Sequence, residues 1–300
     1  MAISEDKLES LSKLPSSTAF QEKRQSIETA LSRYTSWPSE MKWLAPYLQG
    51  SYANNTHIRG ESDVDIVIEL TSAFVHNISS LSQGEQEQFH RDFSNASHNL
   101  AQFKEHVLEA LRSYFGSTRI QVGNKSIKVL PPASGGIYAD VIVCQCYREY
   151  ESYKYPYAET YIDGIAFWSG QGEKIINFPK RHRTNGEKKN QDCGHYKSTV
   201  RVVKNLKCDM VDSGYLHEDT APSYFVECLV FNLPNDQISS SRTQTLLNFL
   251  SWYINLEDKQ KSGLVCGNWA RYLFCNSGKQ WNQSDADRFI VSLWHYYKNN

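Results

Sequence analysis

No stretch of this sequence approaches the roughly 20 consecutive apolar residues that a membrane-spanning helix needs. The opening Met1-Ala2-Ile3-Ser4-Glu5-Asp6 has neither the basic start nor the apolar core of a secretory leader, so a cytoplasmic protein is expected. Net charge is also lacking: 32 Lys and Arg stand against 33 Asp and Glu, leaving −1. Such a chain has no global field for holding a long polyanion, and any basic surface for phosphates must be local. Paired cysteines are missing as well. The seven cysteines, an odd number without a CxxC pair, argue against a disulfide framework and for reduced thiols. Cys193, His195 and Cys208 make a partial zinc set that lacks a fourth ligand, and Cys144 and Cys146 share one face of a strand as core filling. There is no internal repeat and no long polar tract of the kind that stays unfolded. With 40% hydrophobic residues, the 300 positions suffice for one large domain or two joined lobes.

Hydrophobic spacing divides the chain. Leu8, Leu11 and Leu14, then Ile27, Leu31 and Tyr34, predict two helices broken near Pro15 and closed before Pro38. The run Asp63 to Leu70 is β-branched and opens with alternating polar residues, the mark of a strand entering a buried sheet. Phe93, Leu100, Phe103, Val107 and Leu111 predict a long amphipathic helix over 89–114. Strands return at Arg119 to Val122, Ser126 to Val129 and Ile137 to Cys146, the last after the flexible Gly135-Gly136. Residues 178–192 are polar and aperiodic and predict an exposed loop or crossover. Helical patterns follow at Tyr196 to Cys208, Pro222 to Leu233, Ser241 to Asn255 and Ser284 to Tyr297. The expectation is an α+β fold: helices over 1–40 packing on both lobes, a sheet lobe over 41–178, and a helical lobe over 179–300.

The chemistry concentrates in the sheet lobe. A small turn, Gly50-Ser51-Tyr52, precedes Asp63-Val64-Asp65. Residues i and i+2 of a strand share a face, so both carboxylates converge at one sheet edge. They repel unless a cation lies between them, and hard divalent ions take oxygen ligands and complete their shell with substrate phosphates. Asp140, an acid inside the otherwise apolar Tyr138 to Val143, is the candidate third ligand. Three acids can hold two Mg²⁺ or Mn²⁺ ions for in-line phosphoryl transfer, with Asp140 holding the attacking 3′ or 2′ hydroxyl. Gly50 permits close backbone approach, and the Ser51 hydroxyl with nearby amides suits phosphate oxygens.

Gly50-Ser51, Asp63-Val64-Asp65 and Asp140 resemble the nucleotidyltransferase superfamily of poly(A) polymerases, oligoadenylate synthases and cyclic GMP-AMP synthase. Within it, Gly50-Ser51-Tyr52-Ala53, Thr56, Ile58-Arg59 and Ser62-Asp63-Val64-Asp65 resemble the bacterial cGAS/DncV-like nucleotidyltransferases of antiphage signalling. The resemblance extends through Arg201-Val202-Val203-Lys204-Asn205-Leu206, similar to the family's triphosphate-contacting helix, and Pro222-Ser223-Tyr224-Phe225-Val226-Glu227, similar to its Ser-Tyr helix start, and covers about residues 45 to 235. It implies a polymerase-beta-like mixed-sheet lobe, a helical lobe that completes the nucleotide pocket, and synthesis of a cyclic di- or trinucleotide second messenger from nucleoside triphosphates such as ATP with release of pyrophosphate. No template nucleic acid and no membrane are implied, and regulatory protein partners from a defence operon are. Lys204 would hold terminal phosphates, Ser223 would bond them, and Tyr224 would stack on a base. The structural alternatives are a solvated Lys204, a capping Ser223 and a core Tyr224. The run Lys180-Arg181-His182-Arg183 with Lys188-Lys189 reads as a phosphate or partner contact, or as a solvated loop. Arg59 and Glu61 lie near the acids in the sequence, which assigns them no role of their own. No insertion like the zinc-bearing DNA-sensing element of the animal enzyme is present, so duplex DNA is not the expected activator. Other readings are a transferase for an RNA, protein or small-molecule acceptor, and a non-catalytic nucleotide sensor.

Overall fold

Alternate residues of the acid-bearing strand turn to opposite sides in the computed structural model, which describes residues 2–60, 63–275 and 281–300. Glu61 and Ser62, which the sequence places beside the first two acids, lie outside the described residues. Two compact units form: a sheet unit of Ser16–Tyr52 and Ser62–Pro179, and a helical unit of Met1–Pro15, Ala53–Glu61 and Lys180–Asn300. Of the first two helices, separated at Pro15 as the spacing predicts, α1 (Glu5–Ser12) lies in the helical unit and α2 (Thr18–Arg33) in the sheet unit.

The sheet unit holds a mixed sheet of β1 (Tyr47–Leu48), β2 (Asp63–Asn77), β3 (Ile120–Val122), β4 (Ile127–Val129), β5 (Tyr138–Lys154), β6 (Ala158–Trp168) and β7 (Lys174–Asn177). The order is β1-β2-β5-β4-β3, with β6 on β5 and β7 on β6. Only β2 and β5 run parallel among the described pairs. The first part of β5 pairs with β4 and the rest with β6, so one long strand serves two partners along the same edge. Short helix α3 (Gly50–Asn54) precedes β2, and α4 (Gln83–Asp92) and α5 (Leu100–Phe115) follow it.

Val64, Ile66, Ile68 and Leu70 share one core with Ala139, Val141 and Val143 under Ile27 and Leu31 of α2 and Phe103, Val107 and Leu111 of α5. Val67, Ile142 and Cys144 form a separate core with Ile165 and Phe167 of β6. Each buried Val, Leu, Ile or Phe among them contributes about 1.5–3 kcal/mol. A slip of one residue would reverse every one of them, so the apolar set fixes which way Asp63, Asp65 and Asp140 face.

Three expectations are corrected. The helix expected over 89–114 is two helices, because Asn99 starts α5 afresh: its side chain accepts the Gln102 N–H while the Gln102 side chain accepts the Asn99 N–H. The sheet extends beyond the expected strands into β6, β7 and the far half of β5. There Tyr150 and Tyr153 are buried in one cluster three positions apart, a spacing allowed by an irregularity between Tyr150 and Ser152 that strict alternation conceals. The expected loop over 178–192 is helix α6 (Pro179–Cys193), which starts on a proline suited to the first helical position. Only His182 and Gly186 of α6 are buried, too few to leave an apolar period.

The helical unit continues with α7 (Tyr196–Asp212), α8 (Ser223–Phe231), α9 (Arg242–Ile254), α10 (Asp258–Ser262) and α11 (Gln283–Asn299). Phe225 to Phe231 of α8 are all buried, which makes α8 the central helix around which one core of α1, α7, α9 and α11 assembles. No helix among the described residues is long and apolar enough to cross a membrane.

Candidate active site

The acids occupy the starts of the two parallel strands. Asp63 opens β2 and is exposed, while Asp65 and Asp140 are half-buried and stand directly opposite each other in register. Neighbouring strands lie about 4.8 Å apart, so two like charges face each other at short range, an arrangement unfavourable in a sheet unless something positive is shared. On the other side of Asp140, β4 places Lys128 opposite it, and the Ser126 hydroxyl donates to Asp140 Oδ1 at 2.9 Å.

The Gly50 turn is built against the same carboxylates. Gln49 N–H donates to the Asp65 carbonyl at 3.0 Å, and the chain then turns through Gly50 at φ +66° into α3. A Cβ at Gly50 would stand 2.8 Å from Asp65 Oδ2. Glycine is therefore required twice, for the left-handed backbone and for the space beside Asp65. The sheet unit thus gathers Gly50, Ser51, Asp63, Asp65 and Asp140 at one end of the parallel strand pair. Three carboxylates with a cradle that any larger residue would fill make a hard-oxygen donor set suited to Mg²⁺ or Mn²⁺. Among the described residues no three His, Cys, Asp or Glu side chains are already drawn into one ligand cluster. Cys193, His195 and Cys208 do not form such a cluster, and none of the seven cysteines is in a disulfide.

The residues of the helical unit form a second group around Glu227, which is 3% exposed and lies one turn beyond Ser223 on α8. Its Oε1 accepts from Asn54 Nδ2 at 2.9 Å and lies 2.6 Å from His182 Nε2, while Oε2 accepts from the Thr56 hydroxyl at 2.8 Å. Lys204, 2% exposed on α7, donates from Nζ to the Thr56 carbonyl at 3.0 Å, and Arg201 donates to the Asn55 carbonyl. Burial pushes the Glu227 carboxyl up, but His182, the Thr56 hydroxyl and the Lys204 charge outweigh it and hold the group below its ordinary value. Gly267 makes room for the imidazole, since a Cβ there would stand 2.7 Å from the His182 ring. Lys204 is thus buried rather than solvated, and His182, read as part of a basic loop, is a core residue. Ser223 is an exposed first-turn residue that makes no side-chain cap; Pro222 holds the cap position. Tyr224 is 40% exposed, with its hydroxyl accepting from Asn268 and its ring 5.0 Å from that of His182.

Asn54 and Ser126 escape a reading of the sequence alone, and Thr56, His182 and Glu227 stand in its motifs without the roles that the structure gives them. Glu227 did carry a signal, the same as that of Asp140: a single acid inside an apolar run, which burial forces to find partners.

Residues 184–298 match the model of the cGAS/DncV-like nucleotidyltransferase C-terminal helical domain. The cyclic nucleotide synthase CdnE01 of Staphylococcus haemolyticus is 35% identical over 297 residues, spanning 98% of each chain. The structure of the Rhodothermus marinus CdnE c-UMP-AMP synthase with Apcpp and Upnpp superposes with a TM-score of 0.86 at 33% identity, covering 99% of this chain and 97% of that one. The Elizabethkingia meningoseptica CdnE cyclic dinucleotide synthase with GTP and Apcpp gives a TM-score of 0.75 at 30% identity, covering 98% of both. Full-length likeness at this level makes the chain a member of the cGAS/DncV-like nucleotidyltransferase family.

Proposed function

We propose that this protein joins nucleoside triphosphates into a cyclic di- or trinucleotide, a second messenger of antiphage defence, releasing one pyrophosphate for each linkage. The observation that carries this reading is the facing of Asp65 and Asp140 across β2 and β5 with Gly50 pressed against Asp65. Full-length similarity to synthases solved with two different nucleotides supports a nucleotide as acceptor as well as donor.

Asp63, Asp65 and Asp140 would hold two Mg²⁺ or Mn²⁺ ions. When bound, such ions lower the pKa of a coordinated hydroxyl and balance the charge of the departing pyrophosphate. The Ser51 hydroxyl bonds the triphosphate, with Gly50 keeping the backbone close. Asp140, oriented by Ser126, positions the 2′ or 3′ hydroxyl of the second nucleotide and receives its proton. The hydroxyl oxygen bonds to the α-phosphorus as the bond to the bridging oxygen of the β-phosphate breaks. In the helical unit, Lys204 takes terminal phosphates, its ammonium held by the Thr56 carbonyl and its charge balanced by Glu227. Ser223 adds a hydroxyl donor, and the exposed Tyr224 ring stacks on a base.

Incubation with the four ribonucleoside triphosphates and Mg²⁺ or Mn²⁺, followed by alkaline phosphatase and mass spectrometry, tests this reading. A phosphatase-resistant species of cyclic mass, formed without template or primer, is expected. Label found only on added RNA or protein would assign the same acids to another acceptor.

A further inference from the structure

On the face of the sheet unit opposite the acids, α2, α5 and the chain around Pro132 enclose an open cavity of about 1030 Å³. That is the size of sites for small organic ligands. Lys23 of α2 lines it and is only 8% exposed, yet among the described residues no carboxylate, carbonyl or hydroxyl accepts from its Nζ. The charge that acts on it is a second cation, Arg119. Both stand over Phe115, with Lys23 Nζ 5.5 Å and the Arg119 guanidinium 5.4 Å from the ring centroid. Arg119 donates from Nε and Nη2 to the Leu130 carbonyl, which positions the guanidinium without neutralising it. Of the acids on the wall, Glu109 accepts from the Tyr34 hydroxyl and Glu22 is exposed; neither pairs with the two cations.

Two like charges that line one cavity over the same ring disfavour each other, and an anion entering the cavity would relieve that repulsion. Burial first, and then the Arg119 charge, bring the Lys23 ammonium down to about 8, and a bound anion would favour its charged form. We propose that this cavity binds a small organic anion, a phosphate or carboxylate gripped between Lys23 and Arg119. Gly136 and Ile137 also line the cavity, and Ile137 leads directly into β5, the strand of Asp140. A ligand here rests on the segment that enters the catalytic strand while staying off the acids themselves.

Thermal unfolding of the full chain tests the proposal, in chloride, inorganic phosphate and citrate at matched ionic strength. Phosphate and citrate stabilise proteins generally by exclusion, so the reading is the difference between wild type and Lys23→Met. Wild type should gain about 2–4 °C more than the variant in at least one of the two anions, and the one that acts identifies the phosphate or carboxylate class. In chloride, Lys23→Met should melt at or above wild type, because it removes a cation set against Arg119, an outcome that a structural lysine would not give. Arg119→Gln, which keeps a donor for Leu130, should lose the same gain. Equal gains in wild type and both variants would overturn the proposal. So would a chloride melting temperature lowered in Lys23→Met, or Lys23-dependent binding of duplex RNA without any response to phosphate or citrate.

Discussion

Carboxylates are put to opposite uses in the two units. In the sheet unit, Asp65 and Asp140 are set face to face at a half-exposed strand start, where their repulsion calls for cations. In the helical unit, Glu227 is sunk in the core and given three partners, so its charge is consumed in holding the 54–56 segment to α6 and α8. The same functional group thus faces a like charge at the start of the parallel strands, where the proposed chemistry would use it, and is tied down by three partners in the helical core. Substitutions in the two units should therefore fail in different ways.

The largest effect is expected at the sheet acids. Asp63→Asn or Asp65→Asn should lower turnover by about 1000-fold or more, since metal-borne stabilisation of the transition state amounts to several kcal/mol, with an unchanged melting temperature. Asp140→Asn should stop product formation equally while triphosphate binding persists, as measured by calorimetry. Next is Glu227→Ala, which leaves His182, Asn54 and Thr56 facing a void. Breaking a buried ionic network costs about 3–5 kcal/mol, so a melting temperature lowered by on the order of 10 °C is expected. The carboxyl's folded-state pKa lies below its ordinary 4.5. Its stabilisation is therefore fully present above 4.5 and is lost as pH falls through the lower folded value. Denaturation measured against pH should show that acid-side loss in wild type and not in Glu227→Ala. Equal turnover loss with no stability change at Glu227 would erase the contrast between the units.

Smaller effects sharpen it. Gly50→Ala forces a non-glycine residue into a left-handed backbone, at about 1–2 kcal/mol, and pushes on Asp65 Oδ2. Displacing a ligand by a fraction of an ångström should lower kcat by about 100-fold, more than the stability change explains. Lys204→Ala should raise KM for the triphosphate by roughly tenfold and lower kcat less, as loss of a contact present before reaction does. An unchanged KM would confine Lys204 to holding Thr56.

What was legible in the sequence follows the same division. The acid-bearing strands were readable because their signals are local: a β-branched run with two acids at i and i+2, and one acid in the apolar run of β5. The register that sets Asp65 opposite Asp140 is a pairing across 75 positions, which no local pattern carries. Helix α6 reads as a loop in the sequence because its buried residues are a histidine and a glycine, neither of which registers as apolar. The Glu227 network draws on positions 54, 56, 182, 204 and 227, and exists only once α6, α7 and α8 are packed.

The most direct test of the sheet acids as a cyclising centre is stoichiometry: pyrophosphate released per nucleotide incorporated, measured for wild type and for Asp65→Asn. Ring closure consumes every triphosphate, so one pyrophosphate per nucleotide is expected in wild type and none above background in the variant. A ratio below one, with a 5′-triphosphate retained on a linear product, or full release by the variant, would contradict it.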